Sequence, residues 1–201
     1  MILTMKPLTS VLKGVVSVYN HWGKDLSDSM KALSQDYVKD IIEKHLISGK
    51  IHSIENQENE ILVKLDIKSG IDYIREDNNG LQGIAARVQW YAGKGKYPFN
   101  TFTLRKKRYT GSKTEVEKRL HSIKNGYFYP AFTLQAYFDD RINNRLLSIA
   151  AIRTEYLYKL TIEEPHRFFK QKSDNEFMVL PWDRVEPSNL KAWYEVNNAD
   201  I

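Results

Sequence analysis

The chain has 201 residues, of which 42% are hydrophobic and 12% aromatic, a composition that predicts a folded globular protein and excludes a disordered one. It contains no cysteine, which excludes disulfides, thiolate metal sites and a cysteine nucleophile and favours a cytoplasmic location. No apolar run is long enough to cross a bilayer, and residues 1–7 lack the pattern of a signal peptide. We therefore expect no membrane partner.

The net charge of +5 is distributed unevenly along the chain. Residues 85–129 contain eleven lysines or arginines and two glutamates, a net charge of +9 that leaves −4 for the remainder. A basic middle between neutral or acidic flanks indicates one positive face, and polyanions such as nucleic acids are the usual partners of such a face. A solvated, lysine-rich surface without a partner stays open as the alternative.

The N-terminal quarter of the chain has helical periodicity. Residues 1–50 place apolar side chains at intervals of three and four, and Gly49 is a suitable stop for the last helix. A helix that precedes a sheet is expected to cover one of its faces.

Several short apolar runs separated by turn residues follow this helical part. Residues 61–67 alternate between apolar and polar side chains, which is the pattern of a half-buried strand. Residues 71–74 place one carboxylate, Asp72, inside an apolar strand. The Asn-Asn-Gly at residues 78–80 predicts a tight turn, because Asn and Gly tolerate positive φ, and residues 81–90 are then the returning strand.

The returning strand has an apolar face and a polar face. Because side chains alternate along a strand, Arg87 and Gln89 lie on the polar face, and residues 84, 86, 88 and 90 lie on the apolar one.

A basic strand and a capped helix come next. Residues 101–108 alternate again and end in four consecutive basic residues. Thr114 followed three positions later by Glu117 is a candidate capping box, so we predict a helix over residues 115–124 that the following Asn-Gly ends.

The last part of the chain is predicted to contain a second hairpin, a short helix and a final strand. The segments are residues 132–138 and 145–152 for the hairpin, 154–160 for the helix and 177–182 for the strand, with a polar tail from Pro187 that includes a short helix. The order of elements predicts an α/β (α+β) fold with a central mixed sheet flanked by helices. We expect one domain over residues 1–201, with helical residues 1–50, a sheet core at 51–185 and a polar tail at 186–201.

Two segments carry a resemblance to a known family. Residues 70–74, Gly-Ile-Asp-Tyr-Ile, are followed by a tight turn, by residues 83–89, Gly-Ile-Ala-Ala-Arg-Val-Gln, and then by a further strand and a helix. This order, over about residues 35–185, resembles the PD-(D/E)XK nuclease superfamily, whose fold is called restriction-endonuclease-like. Residues 177–183 also look like a late strand of several members. The resemblance implies hydrolysis of phosphodiester bonds in DNA with Mg²⁺.

The resemblance also implies roles for particular side chains. In that family an Asp and an acid on the next strand bind Mg²⁺, and a Lys two residues after the second acid helps to activate water. Asp72 matches the first acid and is the implied metal ligand, and Arg87 or Gln89 would orient water or phosphate. The second strand has no acid at the matching positions, so Glu117 or Glu43 would supply it from a helix. The alternative for Asp72 is a hydrogen bond to a turn or a pair with Arg87.

A basic patch is the predicted contact to the nucleic-acid backbone. Its members are Arg105, Lys106, Lys107, Arg108 and Lys113, five basic residues in nine positions. Four aromatic residues near it in sequence, Tyr109, Tyr127, Phe128 and Tyr129, could stack on exposed bases, although packing in the core beside Pro130 is the alternative. The five histidines form no HxH or HExxH pair and the chain has no GxSxG, so zinc hydrolysis and acyl transfer have no support.

Three functions are therefore open, and the first of them is the leading prediction. The first is a Mg²⁺-dependent nuclease acting on DNA, with Asp72 as the metal ligand. The second is a protein of the same fold that binds nucleic acid without hydrolysing it. The third is a protein-interaction module of the phage or mobile-element type, which would have a protein partner. The oligomeric state stays open, with a homodimer among the alternatives.

Overall fold

A computed structural model of the protein describes residues 27–54, 69–91, 99–106, 113–171 and 176–195. The predicted strand at residues 61–67 lies outside these ranges, as do residues 1–26 of the predicted helical part.

Within the described residues the chain forms nine strands and several short helices. The strands are β1 (Lys50–Ser53), β2 (Tyr73–Asp77), β3 (Gly80–Trp90), β4 (Thr101–Arg105), β5 (Phe132–Phe138), β6 (Leu146–Arg153), β7 (Phe169–Gln171), β8 (Phe177–Pro181) and β9 (Leu190–Tyr194). The helices are residues 27–33, α1 (Asp36–Ile41) with a π-helical turn at Ile42–Leu46, α2 (Glu115–Lys124) and α3 (Thr154–Glu163), with 3₁₀ turns at Pro165–Arg167, Trp182–Arg184 and Pro187–Asn189.

The strands form two sheets. The larger sheet has the order β1-β2-β3-β5-β6-β9, in which β3 and β5 are parallel and the other neighbours are antiparallel. The smaller sheet has the order β4-β8-β7. A parallel pair needs a crossover connection, and β4 and α2 supply it between β3 and β5. The predicted α/β class with a mixed sheet and flanking helices is therefore confirmed, and the restriction-endonuclease-like assignment stays a prediction.

The β2–β3 hairpin follows from the chemistry of its turn. Gly80 has a φ of +118°, a conformation that residues with a Cβ rarely adopt. The Asp77 carboxylate accepts the backbone N–H of Asn79 at 2.8 Å, which fixes the start of the turn. The predicted turn at residues 78–80 is confirmed.

The larger sheet has an apolar core on each face. On the first face, α1 and the π-helical turn cover the alternate residues of β3 that were predicted to be apolar, together with Leu134, Ala136 and Phe138 of β5. On the second face, α2, α3 and the smaller sheet pack against Tyr137, Ala150 and Ile152. The sheet is therefore the middle of three layers.

Tyr137 joins the two sheets on the second face. Its hydroxyl donates to the Thr101 carbonyl at 3.1 Å and accepts the Thr101 backbone N–H at 3.2 Å. This side chain is 2% exposed, and burial raises the pKa of its phenol, so the hydroxyl keeps its proton and remains a donor.

The prediction of a polar tail with a short helix is wrong for residues 190–194. These residues form β9, which pairs with β6 along the far edge of the larger sheet. Trp193 packs on the first core and Leu190 and Ala192 on the second, so the apolar side chains of this segment are used on both faces. Only a 3₁₀ turn at Pro187–Asn189 is helical among the described residues of the tail.

Candidate functional site

Asp72 lies immediately before β2, at the point where β1 and β2 reach their common end. Its backbone N–H donates to the Ile84 carbonyl at 2.8 Å, and its carboxylate accepts the Ala86 N–H at 2.6 Å. The Asp72 carboxylate thus accepts a backbone N–H of β3 at a position that lies beyond the first residue of β2. The predicted alternative was a hydrogen bond to a turn or a pair with Arg87, whereas the donor of this hydrogen bond is a residue of the strand β3.

Arg87 projects from β3 onto the second face of the sheet. Its guanidinium donates to the Thr103 carbonyl of β4 at 3.0 Å and forms a close ion pair with Glu115 in the first turn of α2. A single arginine therefore connects the large sheet, the small sheet and a helix. Removal from water lowers the pKa of Arg87, while the charge of Asp72 acts to raise it.

Glu115 is held from a second side. The buried hydroxyl of Tyr158 on α3 donates to the other carboxylate oxygen of Glu115 at 2.8 Å. Burial raises the pKa of Tyr158, and the charges of Arg119 and Arg87 oppose that rise. The carboxylate of Glu115 is thus shared between a guanidinium and a phenol.

Arg119 completes the arrangement. It lies one helical turn after Glu115, is 7% exposed, and donates to the carbonyls of Ser69 and Gly70, the latter at 3.4 Å. The charges of Arg105 and Arg119 both lower the pKa of Arg87, which places all three guanidiniums in one electrostatic environment. We call this set the polar cluster: Asp72, Arg87, Arg105, Glu115, Arg119 and Tyr158.

The polar cluster does not fit a magnesium ion. Three arginines and two carboxylates leave one net positive charge, whereas Mg²⁺ is bound through carboxylates that neutralise it. The Asp72 and Glu115 carboxylates already accept donors, and Glu115 is paired with Arg87. Within the residues that the structure describes, no group of three or more His, Cys, Asp or Glu side chains could hold a metal ion. The Mg²⁺ ligand role of Asp72 stays a prediction, and no chemical step is derived through it.

The other predicted catalytic side chains lie in different settings. Gln89 shares the second face of β3 with Arg87 and is opposite Tyr137 in the β3–β5 register. Glu117 forms the predicted capping box, in which its carboxylate accepts the Thr114 N–H at 2.7 Å while its own N–H donates to the Thr114 hydroxyl at 3.2 Å. Glu43 accepts the Ile51 N–H at 2.8 Å and so fixes the start of β1.

The predicted basic patch is only partly described. Arg105 lies over the ring of Phe177, with 5.4 Å between its guanidinium carbon and the ring centroid, and Lys106 is 3.7 Å from the Glu176 carboxylate. Lys113 is exposed just before α2. Lys107 and Arg108 lie outside the described residues.

A second basic surface lies on the outer side of α2. Lys118, His121 and Lys124 are exposed there, and Tyr127 and Phe128 follow in the next turn with 57% and 58% of their surface exposed. The ring of His121 meets that of Tyr127 edge to face, with centroids 5.6 Å apart. None of the three lysines at positions 113, 118 and 124 forms an ion pair with another described residue. We call residues 113, 118, 121, 124, 127 and 128 the α2 surface.

The inner side of α2 contains Arg119, which sequence reasoning missed, and Glu115, which it considered only as a possible second acid near Asp72. Arg119 occupies the same helical stripe as Val116, Leu120 and Ile123, a position that indicates burial by spacing alone. Glu115 and Arg119 are four residues apart and so share one side of the helix. Helical spacing could therefore have predicted that Glu115 and Arg119 lie on the inner side of α2. The pairing of Glu115 with Arg87 and Tyr158 could not be predicted in this way, because it depends on tertiary packing.

Comparison with known proteins leaves the family open. No family model matches the chain, and neither the curated proteins nor the solved structures gave a match. The similarity to the PD-(D/E)XK superfamily therefore stays a prediction from the two sequence segments. No helix in the described ranges is both long and apolar enough to span a membrane.

Proposed function

We propose that the protein binds DNA through the α2 surface, without a hydrolytic step at Asp72. The observation that carries this proposal is the set of three exposed lysines, at positions 113, 118 and 124, none of which forms an ion pair with a described carboxylate. Lysines of this kind release counterions from a phosphate backbone when they bind it, which is the main source of affinity in such complexes.

The inner contacts of α2 support the same proposal. Glu115 binds Arg87 and Tyr158, Arg119 binds the carbonyls before β2, and Thr114 caps the first turn. The inner side of the helix is therefore held against the sheet. The lysines on its outer side are exposed on a helix whose position is fixed. A preformed surface loses less conformational entropy when it binds.

The electrostatics of the second face point in the same direction. The polar cluster has one net positive charge beneath α2, and its Arg87, Arg105, Glu115 and Arg119 belong to the segment 85–129, whose net charge is +9. The positive potential of such a region attracts a polyanion before contact. The Glu117 carboxylate in this region is held in the helix cap, and the charge of Lys113 helps to lower its pKa, so this carboxylate offsets part of the positive charge.

A substitution at the three lysines tests the proposal. In the variant Lys113→Gln, Lys118→Gln, Lys124→Gln, we expect the affinity for a fluorescent duplex or single-stranded DNA, measured by anisotropy, to fall by about tenfold or more. The matched control is Lys31→Gln, Lys50→Gln, Lys191→Gln, which removes the same charge from exposed positions outside the α2 surface. Equal losses in the two variants, or no DNA binding by the wild type, would contradict the proposal.

A further inference from the structure

The surface between α2 and α3 contains a groove of about 350 Å³. Its walls are the aliphatic side chains of Leu120, Ile123 and Ile162, and Ile162 is 64% exposed at the rim. This volume lies at the lower end of the range for small-ligand sites. An isoleucine exposed to this extent beside two other aliphatic side chains offers an apolar contact that the chain's own described residues leave uncovered.

The rim of the groove is mainly cationic. Lys124 on α2 and Lys159 on α3 line the groove with His121, and among the described residues the carboxylate that lines it is Glu155. Glu155 is engaged with the hydroxyl of Tyr129, whose pKa is raised by burial and by the charge of this carboxylate. A ligand that is complementary to the groove therefore has a neutral, apolar group with negatively charged groups on both sides of it.

An unpaired nucleobase in a single strand has this combination. The flat base can pack on aliphatic walls, and the phosphates on each side of it can meet the two lysines. His121 connects the groove to the rest of the α2 surface, because it lines the groove and also contacts Tyr127. A strand leaving the groove would thus reach two exposed aromatic rings, Tyr127 and Phe128, on which further bases can stack.

We infer that the groove between α2 and α3 is a binding site for an unpaired base of single-stranded DNA. This inference rests on the proposed function and deepens it, since it names the form of the nucleic acid and the place of one base. An acidic amphipathic helix of a protein partner is the competing occupant, and it would use the apolar walls without any need for bases.

The test compares two labelled single strands of equal length and charge, an oligothymidylate and a strand of abasic spacers. By fluorescence anisotropy, we expect the wild type to bind the oligothymidylate about tenfold more tightly than the abasic strand, as stacking on a few bases predicts. Ile162→Gln is expected to reduce that preference by about fivefold and to leave abasic binding unchanged. The matched control is Ile142→Gln, because Ile142 is 90% exposed in a turn that does not line the groove.

Each outcome decides the inference. Equal binding of the two strands by the wild type, or equal effects of Ile162→Gln and Ile142→Gln, would overturn the base-binding site while DNA binding through the lysines survives. Binding of duplex DNA but of neither single strand would overturn the base-binding site alone, and binding of no DNA at all would overturn the proposed function with it.

Discussion

Arg87 on β3 and Glu115 on α2 form an ion pair on the second face of the large sheet. The side chains are 32% and 21% exposed, so solvent screens the pair only in part. Because Tyr158 and Thr103 bind the same two groups, the pair connects four separate elements of the fold. We interpret this ion pair as the contact that holds α2 in a fixed position, with its lysines exposed.

This pair makes a prediction about stability. Glu115→Gln leaves the guanidinium of Arg87 without its counter-charge, and Arg87→Met leaves the carboxylate of Glu115 with the Tyr158 hydroxyl alone. We expect each variant to lose about 2 kcal/mol of unfolding free energy in urea, with less than additive loss in the double variant. Additive losses would show that the two side chains do not stabilise each other.

Asp72 is predicted to act in folding and not in hydrolysis. Asp72→Ala removes the acceptor of the Ala86 N–H, and we expect it to cost about 1 kcal/mol of unfolding free energy. Asp72→Asn keeps an oxygen acceptor at this position and should cost less. A plasmid-nicking assay with Mg²⁺ or Mn²⁺ provides the functional check, in which we expect no cleavage by any of the three proteins. Metal-dependent nicking by the wild type that both variants lose would establish the nuclease activity instead.

The cap of α2 predicts a dependence of stability on pH. Hydrogen bonds from Thr114 lower the pKa of Glu117 below its ordinary value, so the native state binds fewer protons there than the unfolded chain does. The stabilisation from the charged carboxylate is complete above the ordinary glutamate pKa and is lost as the pH falls through the lowered one. We therefore expect the melting temperatures of wild type and Glu117→Gln to differ at neutral pH and to converge in acid. A difference that stays constant with pH would contradict this.

Gly83 is predicted to be intolerant of a side chain. A Cβ at this position would lie 2.7 Å from Cδ1 of Ile71, which is fully buried. We expect Gly83→Ala to cost about 1–3 kcal/mol of unfolding free energy through overpacking. In an Ile71→Ala background the same substitution should cost little, because the clash is gone. An undiminished cost in that background would locate the strain elsewhere.

Local chemistry accounts for the parts of the fold that the sequence predicted well. The capping box of Thr114 and Glu117 and the turn before Gly80 depend on residues within a few positions of each other, and both are confirmed. The alternation along β3 also assigned the correct residues to the first core. Each of these features is determined by residues that lie close together in the sequence.

Long-range pairing accounts for what could not be predicted. The strand β4 alternates like its neighbours, yet it pairs with β8 in a separate sheet, a choice that depends on residues more than seventy positions away. The segment of β9 looks polar because its apolar residues are divided between two faces. In the same way, Glu115 meets Arg87 and Tyr158 only after three elements have packed, so no spacing in the sequence predicted the polar cluster.

The salt dependence of DNA binding is the most direct test of a DNA-binding role for the α2 surface. The logarithm of the binding constant, measured by anisotropy against the logarithm of salt concentration, should fall on a line whose slope reports the number of phosphate contacts. We predict that substitution of the three lysines at positions 113, 118 and 124 by glutamine makes this slope shallower by about 2 on a single strand, and that the control triple variant leaves it unchanged. A slope that is the same in all three proteins would contradict the account.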